Sequence, residues 1–149
     1  MRHILIILSL LLFSLTVISC GKKEDSSTTT SSPLYVAVGD NGTILTSSDA
    51  TTWTSRTSGT TEKLRGGAYG NSTLVVVGLS GTILTSSDGI TWTSKTSGTS
   101  EDLWGVTYGN STFVTVGESG TILTSSDATT WTSRTSGTSV LFRRVFYKE

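Results

Sequence analysis

The eight residues Gly-Thr-Ile-Leu-Thr-Ser-Ser-Asp at 42–49 recur at 81–88 and again at 120–127, a period of 39 residues. A chain repeated at this interval builds a row of like units, each burying its apolar face against the next. Trp53, Trp92 and Trp131 keep the interval, as do Tyr69, Tyr108 and Tyr147, and Val38, Val77 and Val116. Three copies fill 34–149, dividing at about 34–72, 73–111 and 112–149.

Within one period, four short runs of β-branched and aromatic residues are separated by Gly, Asn, Asp and Ser. That pattern predicts strands and tight turns. In the middle copy the strands are expected at 64–69, 73–77, 82–87 and 91–95. Tyr69-Gly70-Asn71-Ser72 and Tyr108-Gly109-Asn110-Ser111 read as hairpin turns in which Gly and Asn supply positive φ. Val36, Val38, Ile44 and Leu45, with their repeats, read as the core between units. A meander of four antiparallel strands in about 40 residues has the size of a propeller blade. The fold class expected is all-β, a partial β-propeller of three four-stranded antiparallel blades.

Ser47-x-Asp49-x-x-Thr52-Trp53, Ser86-x-Asp88-Gly89-x-Thr91-Trp92 and Ser125-x-Asp127-x-x-Thr130-Trp131 resemble Asp-box, or BNR-type, repeats. Such repeats occur in sialidases and in photosystem II assembly-factor-like propellers, and the whole repeat is most similar to the latter. The resemblance covers essentially all of 34–149. It implies that each Asp and Ser bonds to backbone donors of its turn while the Trp packs on the strands beneath, a structural staple rather than a ligand site. A calcium loop gathers several carboxylates, and each loop here offers one. The chain departs from the family pattern by having one residue fewer between Asp and Trp, which implies a tighter hairpin.

Ahead of the repeats, Arg2 and His3 precede an apolar run at 4–13, too short to span a bilayer comfortably. Residues 1–19 read as an export signal. Val17-Ile18-Ser19-Cys20 resembles the lipobox of bacterial lipoproteins, which implies acylation of Cys20 and anchoring to a bilayer through its acyl chains. Residues 20–33, rich in Ser and Thr, have nothing to bury and read as a disordered linker. Gly21, where family analogy would place an inner-membrane-retaining Asp, favours the outer membrane or the surface of a bacterial envelope.

Loss of the signal removes Arg2 from the eleven basic residues, leaving ten against eleven acidic ones, a formal charge of about −1. Without a basic excess there is no counterion-release contribution to hold nucleic acid. Residues 34–149 contain neither histidine nor cysteine. That excludes disulfides, the usual zinc sites, Ser-His-Asp triads and Cys-His pairs within one chain. No cofactor and no metal is expected. Glu62, Glu101 and Glu118 fall in separate loops, with no pairing of acid and base evident.

One position breaks the repeat. Arg65, Trp104 and Arg143 are equivalent, on the innermost strand that borders the central channel in related propellers, and with Arg144 they are the candidate recognition surface. The sequence reading is a membrane-anchored, non-catalytic binding or scaffold module for a protein or glycan partner. Its alternatives are a sialidase-like or other glycoside hydrolase fragment, and a degenerate propeller fragment without a specific ligand. The array starts at the second strand of a blade, and residues 141–147 supply an innermost strand at the far end. Two copies joined head to tail would then make a homodimer with a six-bladed ring.

Overall fold

The computed structural model describes residues 33–149. The export signal, Cys20 and the linker up to residue 32 lie outside the described residues. Eleven strands follow in order: β1 (Tyr35–Val38), β2 (Ile44–Ser47), β3 (Thr54–Arg56), β4 (Leu64–Gly70), β5 (Thr73–Gly78), β6 (Ile83–Ser86), β7 (Thr93–Lys95), β8 (Leu103–Gly109), β9 (Thr112–Gly117), β10 (Ile122–Ser125) and β11 (Thr132–Arg134). They form three antiparallel meanders, β1-β2-β3, β4-β5-β6-β7 and β8-β9-β10-β11. The strand ends of the middle copy fall within two residues of the runs read from its composition.

Two details differ from the sequence reading. Among the described residues the first blade has three strands rather than four. The repeat boundaries at 72/73 and 111/112 cut the β4–β5 and β8–β9 hairpins, so the first copy begins without the innermost strand that β4 and β8 provide to their own sheets. Residues 141–147, expected as a strand, belong to no ladder. They run beside β8, with the Phe142 N–H donating to Gly117 O at 3.0 Å and the Gly120 N–H to Val140 O at 2.9 Å. A ladder needs repeated backbone pairing along both strands, and these two bonds reach only the 117–120 turn.

The hairpins also resolve differently. Positive φ falls on Asn71 (46°) and Ser72 (55°), and again on Asn110 and Ser111, as a two-residue type I′ turn requires. Gly70 instead ends β4 inside the ladder, opposite Thr73. It is small because the Tyr108 ring of the next blade lies against it, where a Cβ would come within 2.0 Å of Cγ.

Alternation along the strands sends apolar residues to both faces of each sheet, so every blade has an entry face and an exit face. Between the first and second blades, Ile44, Leu64, Val76 and Leu84 are buried, with Trp92 packed against them. Between the second and third, Val75, Val77, Ile83, Leu103, Phe113 and Leu123 form the larger core, joined by Tyr108 and Trp131. The Tyr108 and Phe113 rings meet at 4.6 Å, and Trp131 stands 6.5 Å from Phe113. Each fully buried Leu, Ile or Val contributes about 1.5–3 kcal/mol, so these two interfaces hold the array together.

Candidate functional site

The three Ser-x-Asp turns share one hydrogen-bond pattern. Asp49 Oδ1 accepts from the N–H groups of Thr51 and Thr52, both at 2.8 Å, and from the Ser47 hydroxyl at 2.9 Å. Asp88 takes the same bonds from Ile90, Thr91 and Ser86, and Asp127 from Thr129, Thr130 and Ser125. Donation to the carboxylate favours its charged form. The Thr52 and Thr51 N–H groups, with Ser47, hold Asp49 down at about 2. Those of Thr130 and Thr129, with Ser125, hold Asp127 at about 2, and Asp88 is lowered by Thr91, Ile90 and Ser86. With three donors each, these carboxylates are occupied in closing their own turns. The tryptophans differ by place: Trp92 and Trp131 pack into the two inter-blade cores, and Trp92 Nε1 donates to Gly89 O at 3.2 Å. Trp53, on the open entry face of the first blade, is exposed.

Arg65, Trp104 and Arg143 are brought together at the inner edge of the array. In the β4–β5 ladder the register shifts between Leu64 and Gly66, and in β8–β9 between Leu103 and Gly105. Arg65 and Trp104 are therefore bulge residues, and a bulge re-aims a side chain out of the pleat. The glycine after each bulge lets successive inner strands approach: a Cβ on Gly66 would lie 3.0 Å from Trp104 O, and one on Gly105 would lie 3.0 Å from Arg143 O. At that separation Arg65 Cζ lies over the Trp104 ring at 4.3 Å and Arg143 Cζ at 5.1 Å. Each guanidinium–indole contact is worth about 0.5–1 kcal/mol at a partly exposed site.

These residues line a groove of about 560 Å³ together with Arg144, Val145 and Phe146. Its polar groups are unspent. Trp104 Nε1 is buried with no hydrogen-bond partner among the described residues, and the one ion pair there is between Lys63 and Asp40 at 2.9 Å, elsewhere in the array. The groove thus offers three guanidiniums and the apolar wall of Val145 and Phe146. Such a set suits an extended ligand carrying carboxylate or carbonyl oxygens. The sequence reading singled out Arg65, Trp104, Arg143 and Arg144 but passed over Val145 and Phe146. Their signal was present, since bulkier side chains stand there than at the equivalent Gly67 and Ala68.

The loop carboxylates are tied to neighbouring turns. Glu62 accepts from the Ser80 hydroxyl at 3.2 Å, Asp102 from the Ser80 N–H at 2.8 Å, and Glu101 from the Ser119 hydroxyl at 2.8 Å. Among the described residues no group of three or more His, Cys, Asp or Glu is placed to hold a metal, and no helix is long and apolar enough to cross a membrane.

Three successive antiparallel meanders, stacked face to face with their first strands inward, define a partial β-propeller. No family model matches the chain, and no curated protein matches it. Among solved structures it is similar to one titled "YCF48 bound to D1 peptide", at 18% identity and a TM-score of 0.57, covering 66% of this chain and 34% of that one. The chain thus spans about a third of that propeller's length, and the likeness is one of fold.

Proposed function

We propose that this chain is a non-catalytic binding module, anchored to a bacterial envelope membrane through acylated Cys20, that holds an extended, acidic segment of a protein partner along its inner edge. The observation that carries the reading is Trp104, with two guanidiniums over its ring in a groove lined by Arg144, Val145 and Phe146. That the structurally similar propeller is described as bound to a peptide supports a peptide over a glycan. So does the site itself, since an indole covered by guanidiniums is not an open platform for a sugar ring. The Ser-rich linker would hold the array away from the bilayer, and the residue after Cys20 favours the outer membrane or the surface. Copies of the chain are themselves candidate partners, because among the described residues the entry face of the first blade exposes Tyr35 and Trp53.

The test is calorimetric titration of the chain with a library of acidic and basic peptides. Acidic peptides should bind, more weakly as salt rises. Trp104→Ala should cost at least tenfold in affinity, or about 1.4 kcal/mol. Unchanged binding by that variant, or retention of glycans in preference to peptides, would overturn the reading. Labelled palmitate should enter the wild-type chain and not Cys20→Ser.

A further inference from the structure

The two ends of the array are complementary. Among the described residues the first sheet has no innermost strand, and residues 141–147 lie where the innermost strand of a fourth blade would lie, since they stand to β8 as β8 stands to β4. Gly105 faces the backbone of Arg143 and Arg144 just as Gly66 faces that of Trp104 and Gly105, and Gly109 faces Tyr147 as Gly70 faces Tyr108.

The faces behind those edges are copies of faces that already meet inside the molecule. Val75, Val77 and Ile83, the exit face of the second blade, are fully buried against the third. Their counterparts Val114, Val116 and Ile122 form the exit face of the third blade, and Val114 and Ile122 are only half-buried. The entry face of the first blade is more open, with Tyr35 51% and Trp53 40% exposed, whereas Phe113, equivalent to Tyr35, is fully buried. Phe146 is 86% exposed. Between β1 and β4 runs a groove of about 240 Å³, lined by Leu34, Val36 and Val38 on one side and by Gly67, Ala68 and Tyr69 on the other. That is the position a missing inner strand would take.

We infer that this slot receives residues 142–148 of a second copy, that the second copy's slot receives the same residues of the first, and that the pair closes as one six-bladed ring. The register follows from the internal blades. Leu64 opposes Gly78 and Tyr69 opposes Leu74; Leu103 opposes Gly117 and Tyr108 opposes Phe113. The equivalent seam sets Phe142 against Gly39 and Tyr147 against Tyr35 of the other copy. The chain's own residues in the repeat register of the missing strand, 25–31, read Asp-Ser-Ser-Thr-Thr-Thr-Ser and lack the apolar and aromatic anchors of Leu64 and Tyr69. Four intact blades and two hybrid ones give each of the six blades four strands, and an isologous two-fold pair buries both open faces at once. Arg144 stands where the other inner strands have Gly66 and Gly105, so the backbone at the seam must give by a few tenths of an ångström to admit its Cβ. The inference shares Arg143, Arg144, Val145 and Phe146 with the groove proposed above, but its readout is the mass of the chain in solution without peptide, so it stands or fails separately from the ligand.

The experiment is light scattering on the full chain in mild detergent over a concentration series, with the detergent contribution subtracted. A plateau at twice the chain mass is expected, with a monomer when residues 141–149 are removed. Arg144→Gly should lower the concentration at which pairs form several-fold. Register is read by mixing Tyr35→Cys and Tyr147→Cys chains in a Cys20→Ser background: the mixture should oxidise to a disulfide-linked dimer, and neither variant alone should do so. A monomer at every concentration overturns the inference, as does a mass that climbs without a plateau. A dimer that survives the truncation, or that forms without the mixed disulfide, overturns it as well.

Discussion

Gly81, the first residue of the repeated octet in the second copy, should be irreplaceable, and the structure says by how much. Its φ is +66°, and a Cβ built there would lie 2.1 Å from Thr99 O, 2.8 Å from Ser97 Oγ and 3.0 Å from Thr99 C. Gly98 has φ +78° with nothing within 4 Å of a Cβ, so it shares the backbone conformation without the collision. A left-handed conformation costs an L-residue about 1–2 kcal/mol, offset in part because alanine also restricts the unfolded chain. Gly98→Ala should therefore lose about 1 kcal/mol. In Gly81→Ala a backbone carbonyl must retreat by more than an ångström. That carbonyl also accepts the Ser97 hydroxyl at 3.0 Å, so a hydrogen bond worth about 1 kcal/mol is disturbed on top of overpacking of about 1–3 kcal/mol. The expected loss is about 3–5 kcal/mol. Urea denaturation followed by tryptophan fluorescence would separate the two variants. With a slope of about 1–3 kcal/mol per molar for a small protein, Gly81→Ala should unfold roughly 1 M before Gly98→Ala. Coincident midpoints would refute the reasoning, since positive φ alone would then account for the glycine at 42, 81 and 120.

Acid should loosen the turns. The folded values of Asp49 and Asp127, about 2, lie below the ordinary 3.8, and Asp88 is lowered too. The stabilisation from their charged forms is therefore complete above about pH 5 and is lost as pH falls through 3.8 toward 2. Thermal midpoints should drop over that window, and the drop should be shallower in Asp88→Asn; a flat profile would contradict the three-donor geometry. Ala50 occupies φ +59° in the first Ser-x-Asp turn, where the second copy has glycine, and it is exposed. Ala50→Gly should raise stability by about 0.5 kcal/mol, read as a higher urea midpoint, and a lower midpoint would count against strain at that position.

Much of this fold was legible because the repeat states it three times. Alternating β-branched residues between Gly, Asn and Asp turns marked each strand of the second copy to within two residues, since period-2 patterning and turn chemistry are local properties of the chain. The hairpin glycines were misread for a non-local reason: Gly70 is small to admit the Tyr108 ring from the next blade, a contact 38 residues away that no turn rule encodes. Residues 141–147 have the composition of an inner strand but no ladder, because pairing depends on a neighbouring edge and not on the segment's own residues.

The sequence by itself determined the strand pattern, the blade size, the phase of the array and the break in the repeat at Arg65, Trp104 and Arg143, all of which are read along the chain. Only the tertiary structure decided what that break means. A register shift on each inner strand turns Arg65 and Trp104 out of the pleat. Glycines at 66 and 105 then let the strands close until two guanidiniums lie over one indole whose N–H is left without a partner. The period places these side chains 39 residues apart, and only the face-to-face stacking of blades brings them into one groove.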